Sequence, residues 1–168
     1  RLGVDHQYST RIIARGELTK GKIAGNVIVR GTGDPNISGR FHDGDPLFLF
    51  RQWAKKLKQA GLNEISGNLI ADDSYFDKVR FLPGWNPKDR EKWYSAQVRP
   101  LSLNDNCVEL RDVPGAVGKL ARVELSPASA FVTSSGAPST VSGKKVTVIA
   151  SRSIEGNKIV MKGRIGSS

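Results

Sequence analysis

The strongest helical signal in this sequence is a single segment, Asp45 to Gly61, and most of what surrounds it reads as strand. Within the segment Leu47, Phe50, Ala54, Leu57 and Gly61 recur at spacings of three and four, with Trp53 beside them. Arg51, Lys55 and Lys58 fall off that stripe and should face water. Asp45 can cap the helix, Pro46 fits its first turn and Gly61 suits its C-terminal stop. One helix among many strand-like runs points to an α+β chain in which sheet does most of the covering.

The strand signals fall on both sides. Residues 9–15 (STRIIAR) and 22–30 (KIAGNVIVR) are rich in β-branched side chains and flank the Gly-bounded GELTKG, which predicts a hairpin with a longer loop. The second run ends in GTGDPNISG, an irregular segment dense in turn formers. After the helix, ISGNLIAD (65–72) reads as a short strand. Strand–helix–strand order predicts a parallel pairing made by crossover. Residues 77–97 hold Trp85 and Trp93 amid Pro83 and Pro87 and read as a structured loop with one helical turn. Further strands are expected at 107–113, 120–125, 130–134, 145–151 and 158–165, with VTVIAS and KIVMKGRI forming a hairpin around SIEGN. The expectation is an α+β first part over residues 1–100, with a hairpin and a strand–helix–strand unit. A second, mostly antiparallel β part follows over 101–168, with the boundary between 95 and 110.

Composition excludes several classes. The 168 residues carry a net charge of +10, and the longest apolar run, Leu47 to Phe50, is stopped by Arg51. No stretch approaches the roughly 18–20 apolar residues that span a bilayer. The chain begins at Arg1 with no signal-peptide pattern, as a processed protein or an excised piece would. Cys107 is the single cysteine, and His6 and His42 lie in unrelated contexts, so neither a disulfide within the chain nor a metal site is expected, and no cofactor. From Lys144 to Arg164, six basic residues stand against Glu155 alone. That balance permits an anionic partner, nucleic acid or a cell-wall polymer. Nucleic acid is disfavoured, because no aromatic ring follows Phe131 to stack on bases.

Four short motifs carry possible chemistry. GTGDPN after a strand has two of the glycines of a dinucleotide fingerprint, but Asn36 replaces the third and Pro35 interrupts the turn, so nucleotide binding is not expected. Ser142-Gly143-Lys144-Lys145 has the letters of Ser-x-x-Lys, yet it runs into VTVIA. In a strand, residues three apart point to opposite faces. Ser102-Leu103-Asn104 has the Ser-x-N spacing of penicillin-reactive enzymes, but there is no Lys-Thr-Gly for it to work with. ADDSYFD places Asp72, Asp73 and Asp77 at a strand end, where carboxylates hold a cation, serve as acid and base, or simply close an Asx turn.

Five segments in order, LGVDHQYSTRI, GKIAGNVIVRGTGDPNIS, GLNEISGNLIADDSYFD, PGW and PLSLNDNCVEL, resemble the penicillin-binding D-alanyl-D-alanine carboxypeptidase/endopeptidase family, the class C low-molecular-mass penicillin-binding proteins. The resemblance runs from Leu2 to the KIVMKGRIG near the C-terminus. It implies that this chain is the accessory-domain insertion of such an enzyme, without the catalytic Ser-x-x-Lys, Ser-x-N and Lys-Thr-Gly, and inert alone. The implied partners are the missing catalytic domain and, through the intact enzyme, the peptidoglycan stem peptide. The implied location is the periplasm or cell wall. It also implies that an aspartate at the end of NLIAD reaches the active-site cleft to recognise the free amino group of the stem peptide's side chain. Asp72 is the matching position and Asp73 its competitor, with Phe76 lining the same pocket. The competing expectation is a basic module that binds nucleic acid or an anionic wall polymer.

Overall fold

The structure is a computed structural model that describes residues 3–153 and 156–168. Backbone packing divides it into two compact units, the residues up to Cys107 and those from Val108 onward. In the first, strands β1 (Thr10–Thr19) and β2 (Lys22–Gly31) pair antiparallel along their whole length. The long loop expected at GELTKG is not there: Glu17 to Thr19 stay in the ladder, and the chain turns on Lys20 and Gly21 alone. Both have positive φ, 51° and 82°. Two such residues in succession match the right-handed twist of the flanking strands, so the hairpin closes in two residues.

Helix α1 runs Phe48–Gln59, three residues later than the expected cap at Asp45. The Asp45 carboxylate does accept a backbone N–H, but that of Leu47 (3.1 Å), closing a turn ahead of the helix, and it ion-pairs with Arg51. The stop is as expected. Gly61 has φ 87°, its N–H donates to the Lys58 carbonyl, and the Leu62 N–H donates to that of Leu57. These are the two bonds of a Schellman cap, and Leu57 and Leu62 make the apolar contact that goes with it. The inward ridge also differs from the expected stripe. Leu49, Trp53 and Leu57 are the half-buried positions, spaced by four, whereas Phe50 and Ala54 face solvent. A ridge in steps of four lies nearly along the helix axis and leads directly into Leu62.

The segment after the helix forms two short strands, β3 (Glu64–Ile65) and β4 (Leu69–Asp72), rather than one. Both pair parallel with β2 in one continuous register, with Lys22 opposite Glu64 and Arg30 opposite Asp72. Between them the Asn26 side chain takes the Asn68 N–H while Gly67 donates to Gly25, so the interruption leaves the register unchanged. The parallel crossover is thus present. Ile23, Val27 and Leu62 form the buried cluster, with Ile12, Leu57 and Ile65 packed on it, and Val27 has no exposed surface. Residues 77–97 hold two 3-10 turns, Pro87–Asp89 and Trp93–Ser95, where one helical turn was expected.

In the second unit β5 (Glu109–Val113) pairs antiparallel with β6 (Arg122–Ser126). Strands β7 (Thr133–Ser135), β8 (Ser139–Val141), β9 (Ile149–Arg152), β10 (Lys158–Lys162) and β11 (Arg164–Gly166) follow. β9 and β10 form the expected hairpin ladder; residues 154 and 155 of SIEGN lie outside the described residues. The longer ladders are antiparallel, and two of three residues each, β7 with β10 and β8 with β11, are parallel. β8 carried no strand signal: it is short and its pairing is purely tertiary. Along β10 the alternation is plain, with Ile159 and Met161 buried between exposed Lys158, Val160 and Lys162. The buried side chains of this unit include Ile159, Met161, Ala121, Pro138 and Thr140, and the Thr140 hydroxyl accepts the Gly115 N–H at 3.0 Å. The first unit rests on β2, so Ile23→Ala should lower the unfolding free energy by roughly 2–5 kcal/mol, read as a fall in the urea midpoint.

Candidate functional site

Parallel pairing of β2 with β4 decides what stands beside the acidic strand end. Arg30 and Asp72 are the last paired residues of their ladder and so project from the same face. Arg30 Nε donates to Asp72 Oδ2 at 2.6 Å, and the other oxygen, Oδ1, accepts the Ser74 N–H at 3.0 Å. The Asp72 side chain is only 17% exposed. The Ser74 hydroxyl and N–H, then Arg30, hold its carboxyl down at about 2. Asp72 therefore closes an Asx turn and an ion pair at once, with both oxygens engaged.

Asp73 points to different partners. Its Oδ2 accepts from Arg99 Nη1 at 2.5 Å and lies 3.6 Å from Arg80 Nη2, while the side chain remains 42% exposed. Among the described residues both arginines approach this carboxylate at Oδ2. Asp77 closes a second Asx turn, its Oδ1 taking the Val79 N–H at 2.8 Å. Phe76 is half-buried and lies over the backbone of Gly33, where a Cβ would come within 2.8 Å of its Cζ. Asp72 and Asp73 thus share one strand end but not one set of contacts, and Phe76 leans toward the GTG segment.

Three arginines, Arg30, Arg80 and Arg99, hold this strand end and were not singled out by sequence. Arg30 had a signal: it ends VIVR as Asp72 ends LIAD, and parallel pairing puts strand ends side by side. Arg80 and Arg99 had none, because their approach depends on how loops fold back.

The GTG motif serves packing. Gly31 runs so close to the Pro100 carbonyl that any Cβ would collide with it, and the Gly33 N–H donates to that same carbonyl at 2.7 Å. The Thr32 hydroxyl accepts the Ser9 N–H and donates to the Ser9 carbonyl. The glycines admit a crossing chain, the PLSLNDN segment. Ser102 and Asn104 of that segment also have structural partners. The Ser102 hydroxyl donates to the Arg99 carbonyl at 3.2 Å and accepts from the Asn106 amide at 3.0 Å. Asn104 Oδ1 takes the Gly39 N–H, and its Nδ2 donates to the Cys107 carbonyl. Asn104, Asp105 and Asn106 all have positive φ, which Asn and Asp tolerate better than other residues with a Cβ. Ser142 to Lys145 lie in an exposed bend after β8, on no helix. Among the described residues no three His, Cys, Asp or Glu side chains gather as a metal site, and no helix is long and apolar enough to cross a membrane.

An α+β first unit with an arginine-bound aspartate pair at a strand end, followed by a β unit, is the class of chain in hand. It belongs to the D-Ala-D-Ala carboxypeptidase 3 (S13) family, whose profile matches residues 1–168. It is 27% identical over 171 residues to the D-alanyl-D-alanine carboxypeptidase of Actinomadura sp. (strain R39), covering 98% of this chain and 30% of that protein. It is 27% identical over 126 residues to D-alanyl-D-alanine carboxypeptidase DacB of Haemophilus influenzae, covering 71% of this chain and 25% of the other. The crystal structure of penicillin binding protein 4 (dacB) from Haemophilus influenzae superposes with a TM-score of 0.69 at 20% identity, over 97% of this chain and 35% of that one, a likeness of fold. The chain thus spans about a third or less of the proteins it matches.

Two outcomes follow from the geometry. Gly31→Ala should cost about 1–3 kcal/mol, because the crossing at Pro100 must open; thermal unfolding reads this. Asp72 has a folded pKa below its ordinary 3.8, so its stabilisation is complete above about 4 and is lost as pH falls through about 2. Stability measured from about pH 5 down to about pH 2 should fall less steeply for Asp72→Asn than for the unmodified chain.

Proposed function

We propose that this chain is a non-catalytic accessory portion of a longer serine-type D-Ala-D-Ala carboxypeptidase/endopeptidase that acts on peptidoglycan stem peptides in the periplasm or at the cell wall. The observation that carries the reading is the family match over residues 1–168 by a chain spanning 30% of its Actinomadura relative, together with the absence of Lys-Thr-Gly and of any helix-borne Ser-x-x-Lys. In the longer protein a serine supplied elsewhere would attack the D-Ala-D-Ala bond, with a lysine taking its proton. The strand that ends at Asp72 supports a covered position: Leu69 is 69% exposed here, on the same short strand as the acidic end.

The substrate role assigned to this portion is recognition of a stem-peptide ammonium by the aspartate pair. Asp73 is the better acceptor of the two. Asp72 has both oxygens committed to Ser74 and Arg30, whereas Asp73 keeps Oδ1 and considerable exposure. Arg99 and Arg80 orient Asp73 through Oδ2, and an ammonium arriving at Oδ1 forms a charge-assisted hydrogen bond. Phe76, over Gly33, lines the approach on the apolar side.

Two measurements test this. Incubated with a labelled penicillin, the 168-residue chain should take up no covalent label, and labelling would overturn the non-catalytic assignment. In the longer enzyme, Asp73→Asn should lower kcat/KM about ten- to a hundredfold for stem peptides with a free side-chain amine, and leave amine-blocked peptides unaffected. Equal losses on both substrates would refute the recognition role, and a selective loss in Asp72→Asn alone would move it to Asp72.

A further inference from the structure

Trp93 and Tyr94 stand on the 3-10 turn Trp93–Ser95 and are 65% and 56% exposed. Large rings so open to water normally mark a contact surface rather than a fold requirement. Their setting is unusually fixed. The Arg40 guanidinium lies 5.5 Å from the Trp93 ring centroid and donates to Asp105 Oδ2 at 2.8 Å. That same oxygen accepts from the Ser38 hydroxyl at 3.1 Å, and Ser38 is buried. The buried Ser95 roots the turn from below. A chain of contacts from the interior therefore orients an indole that itself contributes little to the core, the arrangement expected of a preorganised binding surface.

The geometry of the two rings selects among ligands. They meet edge to face, with centroids 6.0 Å apart and planes at 81°. Rings so crossed form a corner and cannot sandwich a flat base between parallel faces. Arg40 lies over the Trp93 ring, and the residue remains 65% exposed. The C–H face of a pyranose chair suits such a ring, since its slightly positive hydrogens meet the electron-rich π face. Polar groups for its hydroxyls are adjacent: burial, then the nearby Asp89 carboxylate, push the Tyr94 phenol up. With the phenol O–H directed at Asp89, the pair offers acceptor oxygens to sugar hydroxyls.

We infer that the corner formed by Trp93 and Tyr94, with Arg40 over the indole and Asp89 beside the phenol, binds the glycan strand of the cell wall, an N-acetylated hexose stacking on the exposed Trp93 ring. The inference rests on the peptidoglycan reading above but uses other residues and the other chemical half of that polymer. The glycan would be held at this corner and the stem peptide at the aspartate pair.

The test is a titration of the isotope-labelled 168-residue chain with chitotetraose, an N-acetylglucosamine oligomer, followed at the three indole N–H signals of Trp53, Trp85 and Trp93. The Trp93 signal, assigned by its loss in Trp93→Ala, should shift saturably while the other two stay in place. Sedimentation with wall sacculi freed of stem peptides by an amidase should show about a tenfold loss of binding for Trp93→Ala and partial retention for Trp93→Phe. A Trp93 signal that does not move overturns the inference, and this arm needs no folded variant. Unchanged binding by Trp93→Ala, binding that vanishes once stem peptides are removed, or a Trp93 shift with a single-stranded oligonucleotide but not with the sugar, would each overturn it too. Because the sacculi in this arm lack stem peptides, its outcome is independent of whether Asp73 recognises the amine.

Discussion

The first unit depends on the two-sided pairing of β2. Its ten residues bond to β1 along one edge and to β3 and β4 along the other, while Ile23 and Val27 turn inward to meet Leu62. A strand paired on both edges has its backbone polar groups satisfied within the sheet, so its side chains are free to define the core. The helix is fastened to that core at its C-terminal end. The Schellman cap brings Leu57 and Leu62 together just where the chain returns to the sheet. Register in β2 therefore sets register in β4, and through it the position of the acidic strand end.

That dependence gives the site its electrostatic character. Two carboxylates in succession would repel each other if left unpaired, and three arginines from separate stretches pair with them. The division of labour follows from geometry. Asp72, on the ladder, is drawn to its cross-strand neighbour and to the turn that follows it. Asp73, one residue on, points elsewhere and meets loop arginines. The one-residue alternation of extended chain thus separates a carboxylate with both oxygens bonded from a more exposed one.

The crossing of GTG and PLSLNDN shows how a motif that looks chemical can be architectural. Glycines at 31 and 33 permit close backbone approach, a use as common for chain crossings as for phosphate binding. Ser102 and Asn104 spend their polar groups on the loop that makes the crossing. The same loop places Asp105 under Arg40, so the aromatic corner at Trp93 and the acidic strand end draw on one short segment.

Much of this chain was legible without coordinates, where the signal is local. Hydrophobic period located the helix, Gly61 located its end, and strand–helix–strand order gave the parallel pairing of β2 with β4. The ordered segments gave the family, and ADDSYFD marked the acidic strand end. Tertiary structure decided what local pattern does not encode. It showed that the hairpin turns on Lys20 and Gly21, that the inward ridge is Leu49, Trp53 and Leu57, and that β8 exists at all. It also showed that Arg80 and Arg99 reach Asp73 from distant loops. Periodicity reports which residues prefer to be covered, a property of a few neighbours. Which residue covers them, and which cation meets which carboxylate, depends on contacts between segments far apart in the chain, and those are fixed only when the sheet sets its register.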